Sequence, residues 1–397
     1  MYQKYYNLII FIQLLHSCRM FAKKNKVMTT PYYTYDLELL DLTLYEVNNE
    51  IKKSNFHVHY AVKANYNTEL LKKIKEAGLG ADCVSGREIN WALDAGFCPN
   101  KIVFAGVGKT DEEIIFAIKN DIGMIHCEGL QEAITVNEIA IMLDEHVDVA
   151  LRLNPNLSAA THSKITTGLK ENKFGFSIIE LNKLIAIKDS LTRLNIKGLH
   201  FHIGSQIIDL NVFKVLCQKI NDYVDFFEAN INNLTYLNVG GGLGIDYNKP
   251  DENLIPDFKA YFEVFKNGIN RKDIDVHFEL GRSIVGQCGK LLTKVLYVKE
   301  SETKQFAIVD AGMTELLRPA LYDAYHQIDY NGISFRENDR VYDVVGPICE
   351  SSDCLGTNVM LPQLQRGDIL TVKSCGAYAE SMSLNYNGRE KIKSVFV

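Results

Sequence analysis

Four features of the sequence supply groups that could take part in one reaction. Lys63 ends the β-rich run in HVHYAVKANYN, residues 57–67, among small and apolar neighbours. There its amine is expected to lose a proton more easily than in water and to attack a carbonyl. The glycine triplet in NVGGGLG, residues 238–244, lets backbone N–H groups approach a phosphate. Glu279 supplies a carboxylate, and His202 supplies an imidazole that can stack on a ring.

These groups match the requirements of pyridoxal phosphate, an aldehyde cofactor that acts as an electron sink. Its aldehyde reacts with a lysine amine, and its phosphate needs an anion site. A carboxylate at its ring nitrogen keeps that nitrogen protonated, so that the ring can accept electrons. Each signal alone also has a structural explanation, since a glycine triplet makes tight turns and polar residues are commonly paired. The interpretation therefore depends on a fold that brings them together.

A second chemistry competes for the same residues. His57-x-His59 and His200-x-His202 each place two imidazoles on one face of a strand, a ligand spacing used by metal-dependent hydrolases. However, His57 and His59 precede Lys63 and are expected to fill the interior beneath it. A later β-rich run ends in ELGR and offers no aspartate for a two-metal centre. The sequence therefore favours the cofactor, and no metal is predicted.

The elements that would position these residues alternate regularly. Short β-rich runs are separated by amphipathic helical segments, which is the order of parallel βαβ units. Eight such runs before residue 283 predict an α/β fold, a (β/α)8 TIM barrel. The runs end near Lys63, Cys83, Ala105, Cys127, Leu153, His202, Val239 and Leu280.

Alternation with a period of two predicts which side chains face the barrel interior. Along the first run the inward residues include Lys63, and each polar inward residue of interest lies close to the carboxyl end of its run. TIM barrels build their active sites at that end of the strands. The predicted ring consists of Lys63, Asp82, Arg152, His202, Asn238 and Glu279.

The chain changes character after the eighth run. The stretches KLLTKVLYVKE, QFAIVDAG, VYDVVGP and GDILTVKS are β-rich and have no regular helices between them. They predict a mainly β, sandwich- or barrel-like domain over 283–397 that follows a barrel domain over 37–282. The early strand at 30–36 is expected to join the β domain, because the barrel has no place for it. Residues 1–29 are interpreted as an extension that is untranslated or disordered.

Composition limits the class of protein. The chain has 397 residues, 47% of them hydrophobic, and a net charge of -6 without a basic face, so it is expected to be globular and not to bind nucleic acid. Nine cysteines without a CxxC pair suit reduced thiols in the cytoplasm. The apolar stretch 7–15 is too short to span a membrane. Translation from Met20 or Met28 is favoured over a lipoprotein-type signal that ends at Cys18.

From about Thr30 onward the sequence resembles the fold type III pyridoxal-phosphate decarboxylases, a group whose members act on diaminopimelate, ornithine or arginine. Four motifs carry the resemblance: YAVKAN from residue 60, DCVSGREI from residue 82, HFHIGSQI from residue 200 and VGGGLG from residue 239. The family's fold is the TIM barrel followed by a β domain, as the pattern of runs predicts.

The resemblance implies a role for each residue at a motif position. Lys63 would bind the cofactor's aldehyde, His202 would stack on its ring, and Glu279 would contact its pyridine nitrogen. The implied cofactor-binding set also contains Asp82, Arg152, Ser205, Gly240, Gly241, Gly242, Gly281, Arg282 and Tyr378. The implied substrate-binding set is Arg282, Arg318, Tyr322, Glu350 and Tyr378.

Within the family, the stretches 162–177, 313–326 and 346–356 resemble the branch that converts meso-2,6-diaminopimelate to L-lysine and carbon dioxide. This implies that Cys349 protonates the carbon that loses its carboxyl group. It also implies that Cys349 and Glu350 come from the neighbouring subunit of a homodimer with composite sites. Arg318 with Glu350 suits a substrate whose far end carries both a carboxylate and an ammonium.

Two alternatives stay open at this stage. A decarboxylase of ornithine, lysine or arginine would use the same scaffold, but its distal pocket would need an acid and no arginine. A non-catalytic homologue that binds partners would be expected to lack Lys63 or Cys349, and both are present. The chain departs from the family pattern at Leu280, where proline is usual, and at Ser352, where glycine is usual. Ser352 would alter its loop if that position required a positive φ.

Overall fold

The computed structural model describes residues 28–52, 54–155, 157, 173–231, 234–332 and 339–397. Most of the amino-terminal extension and most of the 162–177 stretch therefore lie outside the described residues. Among the residues that are described, no helix is both long and apolar enough to cross a bilayer.

Parallel strands close into a barrel, which confirms the predicted TIM fold. The first strand of the chain, β1 Tyr32–Tyr35, lies outside it. In their order around the barrel, the strands in the described chain are β2 Phe56–Ala61, β3 Gly80–Cys83, β4 Ile102–Phe104, β5 Met124–Cys127, β6 Val147–Arg152, β7 Leu194–His200, β8 Tyr236–Asn238 and β9 Asp275–Leu280.

Helices alternate with these strands on the outside of the barrel. They are α1 Leu37–Ile51, α2 Thr68–Glu76, α3 Gly86–Asp94, α4 Asp111–Lys119, α5 Leu130–Leu143, α6 Ile178–Ile187, α7 Asn211–Asn230 and α8 Phe258–Gly268. Local capping fixes where several of them begin. The Asp36 carboxylate accepts the N–H of Leu39 at the start of α1, and Thr110 with Glu113 forms a capping box at the start of α4.

The last barrel strand is anchored by aromatic packing. Phe278 of β9 points outward and lies against Phe56, Phe262 and Phe265, with ring centroids about 5 Å apart. β9 then pairs with β2, so that His59 lies opposite Glu279. This register brings the carboxyl ends of the first and last strands to the same rim.

Histidines fill much of the barrel interior. His59 Nε2 lies 2.9 Å from His277 Nδ1, and both residues lie below the rim. His57 was also expected to fill the interior, and that prediction is wrong: its side chain is half exposed, with Nε2 3.3 Å from a carboxylate oxygen of Asp275. The reason is its position near the start of β2, where the barrel opens to solvent at the amino-terminal end.

After β9 the chain enters a mainly β region. It contains the short helices α9 Arg282–Val285 and α10 Arg318–Tyr322, and the strands β10 Gly289–Glu300, β11 Gln305–Val309, β12 Ile328–Tyr330, β13 Asp339–Val345, β14 Cys354–Pro362, β15 Ile369–Val372 and β16 Lys393–Phe396. The strand order is β12-β15-β10-β11-β13-β14, and β1 pairs with β10 and β16. The amino-terminal strand is thus part of the carboxyl-terminal sheet.

Candidate active site

Lys63 lies at the rim of the barrel on a 3-10 turn, Val62–Ala64, that follows β2. The strand ends two residues earlier than predicted. The segment after the strand Ile369–Val372 holds this turn in place. The Tyr378 N–H donates to the Ala64 carbonyl at 2.8 Å, and the Asn65 amide donates to the Gly376 carbonyl at 2.9 Å. Both halves of the chain therefore fix the position of the lysine.

Asp82, at the end of β3, is the partner of Lys63. Its Oδ2 atom lies 3.2 Å from the Lys63 Nζ, and the carboxylate is fully buried whereas about 35% of the lysine side chain is exposed. Burial would lower the pKa of Lys63, but the charges of Asp82, Tyr378 and Glu279 raise it overall. The expectation that this lysine readily loses its proton is therefore wrong, because the sequence placed Asp82 on the same rim but not in direct contact with the amine.

Burial acts in the opposite direction on Asp82. It raises the pKa of that carboxyl group to about 6, an effect that the Glu279 charge increases and the Lys63 charge reduces. The second oxygen, Oδ1, is buried and has no hydrogen-bond partner among the described residues. Asp82 is thus a buried carboxylate whose partner in the described chain is the Lys63 amine.

Glu279, at the end of β9, is surrounded by donors. Its carboxylate accepts the Asn238 amide at 3.0 Å, His200 Nε2 lies 3.1 Å away, and His126 Nδ1 lies 3.4 Å away. Burial would raise the pKa of Glu279, but His200 and His126 hold it well below its usual range. The group is therefore a buried, ionised carboxylate of fixed orientation.

His202 lies beside this carboxylate on the segment that follows β7. Its Nδ1 atom accepts the Gly241 N–H at 3.3 Å, and it lies 3.9 Å from Glu279 Oε2. Burial, together with the charges of Lys63 and Arg152, lowers the pKa of His202 to about 3. Its ring is consequently neutral.

The loop after β8 can contain only glycine at its closest contacts. A Cβ atom on Gly240, whose φ is +73°, would lie 2.3 Å from the Phe201 carbonyl oxygen. A Cβ atom on Gly241 would lie 1.9 Å from the Glu279 carbonyl oxygen, and Gly242 also has a positive φ, +109°. The backbone of this loop is therefore packed directly against the strands that carry His202 and Glu279.

Arg282 begins α9 next to this loop. Its guanidinium donates to the Ser205 hydroxyl at 3.1 Å and to the Tyr247 hydroxyl at 2.5 Å, and it lies 4.8 Å from the centre of the Tyr378 ring. Gly281, just before it, has no room for a side chain, since a Cβ atom would lie 2.9 Å from the Cβ of Ala64. This close approach brings Arg282 beside the Lys63 turn.

Arg318 begins α10 and shares the Tyr247 hydroxyl with Arg282. It donates to that hydroxyl at 2.8 Å and lies 2.7 Å from His326 Nε2. Its side chain is buried, and in the part of the chain that the structure describes neither arginine forms an ion pair with a carboxylate. Two buried cations thus lie side by side, and no carboxylate of the described residues pairs with either. Tyr322 lies at the carboxyl end of the same short helix.

Three further predicted residues have different surroundings. Arg152 is paired with Glu128 at 2.5 Å, so a carboxylate already neutralises it. Cys349 and Glu350 are exposed on the loop between β13 and β14. That loop is held by Asp353, which accepts the N–H groups of Met313 and Ile348, each at 2.6 Å. The Ser352 backbone does not take a positive φ, so serine fits where the family has glycine.

The two predicted His-x-His pairs do not come together, because His57 and His59 lie toward the opposite end of the barrel from His202. Within the described residues, the one group with suitable donor atoms for a metal is His126, His200 and Glu279. All three are buried, and the Glu279 carboxylate already accepts an amide hydrogen bond. The arrangement does not favour the hydrolase interpretation.

Sequence reasoning missed four residues of this site. The predicted ring did not include His126, yet this residue lies against Glu279 and its Nε2 is 3.0 Å from the Tyr236 hydroxyl. Glu128, the partner of Arg152, follows β5, where the rule of polar residues at strand ends could have found it. Tyr247 and His326 lie in loops whose course no periodicity predicts, so no signal in the sequence pointed to their contacts.

The residues fit a pyridoxal phosphate molecule. The buried guanidinium of Arg282 contacts hydroxyl groups in the described chain and no carboxylate, as suits a phosphate ligand, and the glycine loop lies next to it. The buried carboxylate of Glu279 suits a protonated ring nitrogen, and the amine of Lys63 lies at the same rim. The unpaired Oδ1 of Asp82 is a further polar atom that a ligand or water could satisfy.

The comparisons with known proteins agree with this geometry. Residues 43–286 match the family described as pyridoxal-dependent decarboxylase, pyridoxal binding domain. The chain is 48% identical over 369 residues to a diaminopimelate decarboxylase of Bacteroides thetaiotaomicron, covering 92% of this chain and 95% of the relative. It is 39% identical over 363 residues to one from Helicobacter pylori, covering 91% and 89%.

Solved structures show the same similarity. The crystal structure of Helicobacter pylori diaminopimelate decarboxylase complexed with L-lysine has a TM-score of 0.88 and 38% identity, covering 94% of this chain and 92% of that one. The enzyme from M. jannaschii in complex with L-lysine has a TM-score of 0.85 and 35% identity, covering 93% and 87%. A Chlorella virus arginine decarboxylase, with a TM-score of 0.82 but 20% identity, shares the fold.

Proposed function

Because the chain belongs to the family of diaminopimelate decarboxylases, which are pyridoxal-dependent enzymes, we propose that it converts meso-2,6-diaminopimelate to L-lysine and carbon dioxide. One carboxyl group leaves as carbon dioxide, and a proton takes its place on the same carbon. The other amino-acid end passes unchanged into the product.

One observation carries the choice of substrate: the buried guanidinium of Arg318, which forms no ion pair in the described chain. A planar guanidinium binds a carboxylate through two parallel hydrogen bonds. Leaving it buried without an anion is unfavourable, so the site is completed by a ligand with a carboxylate remote from the reacting carbon. Diaminopimelate has such a carboxylate, and ornithine does not.

We assign the cofactor contacts to the residues around the rim. Lys63 would hold the aldehyde carbon, Glu279 the ring nitrogen, His202 the ring face, and Ser205, Arg282, Tyr378 and the glycines 240–242 the phosphate. When bound, pyridoxal phosphate stabilises the electron pair that the departing carboxyl group leaves behind. The low pKa of Glu279 keeps its carboxylate ionised, so that a negative charge would lie beside the ring nitrogen of the cofactor.

Two proton movements fall to side chains of this protein. Lys63 must release a proton before its amine can attack a carbonyl, and the Asp82 carboxylate, 3.2 Å away with a raised pKa, is placed to accept it. At the end of the reaction, the Cys349 thiol would donate a proton to the carbon that has lost its carboxyl group. Glu350, next to it, would pair with the distal ammonium of the substrate.

We further propose that Cys349 and Glu350 act in the site of a second copy of the chain, in a homodimer. Both side chains are exposed, and the backbone of their loop is fixed by Asp353. Exposed side chains on a loop of fixed backbone can reach into the site of a neighbouring subunit and complete it. We also propose a cytoplasmic location, because the cysteines of the described chain are all free thiols.

The test of this function is a substrate panel. Purified holoenzyme is given meso-diaminopimelate, L-lysine or L-ornithine, and the release of carbon dioxide and the formation of L-lysine are measured. We expect diaminopimelate to react far faster than the other two. Arg318→Ala should lower kcat/KM for diaminopimelate by about 10- to 100-fold or more.

Arg193→Ala, which removes a surface guanidinium paired with Asp144, is the matched control and should leave the rates unchanged. Comparable rates on all three substrates would show that the enzyme is a decarboxylase of another basic amino acid or has no such preference. An Arg318→Ala enzyme that keeps the preference, or a control variant that loses it to the same degree, would show that the preference does not depend specifically on Arg318.

A further inference from the structure

Arg318 is held by two neutral acceptors. The Tyr247 hydroxyl accepts one hydrogen bond from Arg318 at 2.8 Å and another from Arg282 at 2.5 Å. His326 Nε2 lies 2.7 Å from the same Arg318 nitrogen. The guanidinium carbon of Arg318 also lies 4.8 Å from the centre of the Tyr247 ring, and the His326 ring meets the Tyr247 ring edge-on at 5.0 Å.

The contact fixes the protonation state of His326. Its Nδ1 atom lies 2.8 Å from the Lys373 carbonyl oxygen, which can only accept, so Nδ1 carries the proton. Nε2 then has a lone pair and can accept from Arg318. Burial, together with the positive charge of Arg318, lowers the pKa of His326 to about 3, so the neutral form persists.

Neutral acceptors suit an arginine that must bind an anion. A carboxylate partner would hold the guanidinium equally well, but it would cancel the charge and compete with the substrate. A phenol and a neutral imidazole fix the direction of the guanidinium while leaving its charge available. The Tyr247 hydroxyl also holds Arg318 close to Arg282. Burial lowers the pKa of Arg318, and the positive charge of Arg282 contributes to the same shift.

We propose that Tyr247 and His326 are positioning residues that hold the Arg318 guanidinium for the distal carboxylate of the substrate. This inference rests on the proposed function. The distal carboxylate does not change during the reaction, so its contact is equally strong in the ground state and in the transition state. If the Arg318 guanidinium is no longer held in place, KM should therefore rise more than kcat falls.

The test measures kcat and KM for meso-diaminopimelate with holoenzyme of four variants. His326→Leu and Tyr247→Phe each remove one acceptor, and we expect KM to rise about 10- to 100-fold in either, with kcat changed by less than about threefold. His326→Gln restores a carbonyl acceptor for Arg318 and should recover most of the lost affinity.

Tyr261→Phe is the matched control, because the Tyr261 hydroxyl is buried and has no hydrogen-bond partner within the described residues. It should leave KM unchanged. Thermal unfolding and the visible absorbance of the bound cofactor show whether each variant is folded and loaded.

A KM that stays within about twofold of wild type in folded, loaded His326→Leu and Tyr247→Phe enzymes overturns the inference and leaves the proposed function intact. Equal losses in kcat for all variants, without rescue by glutamine, also overturn it, because they indicate general disturbance. A wild-type enzyme that does not act on diaminopimelate overturns both the proposed function and this inference.

Discussion

At the scale of single residues, the protein holds its reactive lysine charged and places a proton acceptor beside it. Asp82 keeps the pKa of Lys63 high, whereas burial keeps the pKa of Asp82 unusually high for a carboxyl group. Because the pKa of Asp82 stays far below that of Lys63, the proton remains on the lysine and the two groups form an ion pair. The sequence predicted the lysine and placed Asp82 on the same rim, but it did not predict how their pairing reverses the expected shift.

Asp82→Asn tests this pairing. The amide removes the negative charge that raises the pKa of Lys63, so burial then lowers that pKa and more of the amine is neutral at a given pH. The pH midpoint for cofactor capture should move to lower pH by about one unit or more. The measurement is the visible absorbance that develops after cofactor is mixed with cofactor-free enzyme across a pH series.

Asp148→Asn is the control, because Asp148 lies near the start of β6 and pairs with Lys197 there. Its profile should match that of the wild type. A midpoint for Asp82→Asn that stays at the wild-type value, or moves to higher pH, would show that Asp82 does not set the protonation of Lys63.

At the scale of elements, the site depends on where strands end and how tightly the following loops approach them. The loop after β8 touches the carbonyls of Phe201 and Glu279 so closely that side chains are excluded. The glycine loop therefore fixes the backbone near His202 and near the strand that carries Glu279.

Gly241→Ala should disturb this loop. The added Cβ atom would lie 1.9 Å from the Glu279 carbonyl oxygen, so the loop or β9 must move. We expect the free energy of unfolding to fall by about 1–3 kcal/mol and cofactor affinity to fall by about tenfold or more. Denaturant unfolding and cofactor titration measure these changes.

Gly108→Ala, at a site with open space around the new atom, is the matched control and should change neither quantity. If Gly241→Ala binds cofactor as tightly as the wild type, the close approach of this loop does not matter for binding.

Strands with a clear alternation of inward and outward side chains could be predicted from the sequence, and strands without it could not. The longer barrel strands, such as β6 and β9, were found because inward and outward positions alternate over six residues in each. β16 was missed, because a strand of four residues gives little pattern and is stabilised by pairing with the distant β1. β14 was also missed: exposed polar positions such as Thr357 interrupt its alternation, and pairing with β13 holds it.

At the scale of the whole molecule, the two halves of the chain complete one site. The Asn65 amide donates to the Tyr35 hydroxyl at 2.8 Å, and the same hydroxyl donates to Glu380 at 2.7 Å. These contacts connect the segment after Lys63 to the first strand and to the carboxyl-terminal region. Because β1 pairs with the distant β10 and β16, the hydrogen bond from Asn65 to Tyr35 ties the turn that carries Lys63 to the carboxyl-terminal sheet.

The proposed homodimer predicts complementation between two inactive variants. Lys63→Ala and Cys349→Ala enzymes, each inactive alone, are mixed after reversible dissociation and assayed on diaminopimelate. Random exchange makes half of the dimers mixed, and each mixed dimer has one site with both Lys63 and Cys349. Activity should recover to about a quarter of the wild-type value.

The double variant that carries both substitutions in one chain is the control. Mixed with wild type, it forms dimers in which neither site is complete. An absence of any recovery in the first mixture, although exchange is demonstrated, would show that Cys349 acts within its own subunit.

In the proposed function, the Lys63 amine at the barrel rim binds the aldehyde cofactor. The most direct measurement is reduction of the holoenzyme with sodium borohydride, followed by proteolysis and mass spectrometry to locate the cofactor. We predict that the added mass lies on the peptide that contains Lys63, and that Lys63→Ala shows neither this mass nor the visible absorbance of bound cofactor. Cofactor attached to a different lysine, or a Lys63→Ala enzyme that keeps the absorbance, would contradict the account.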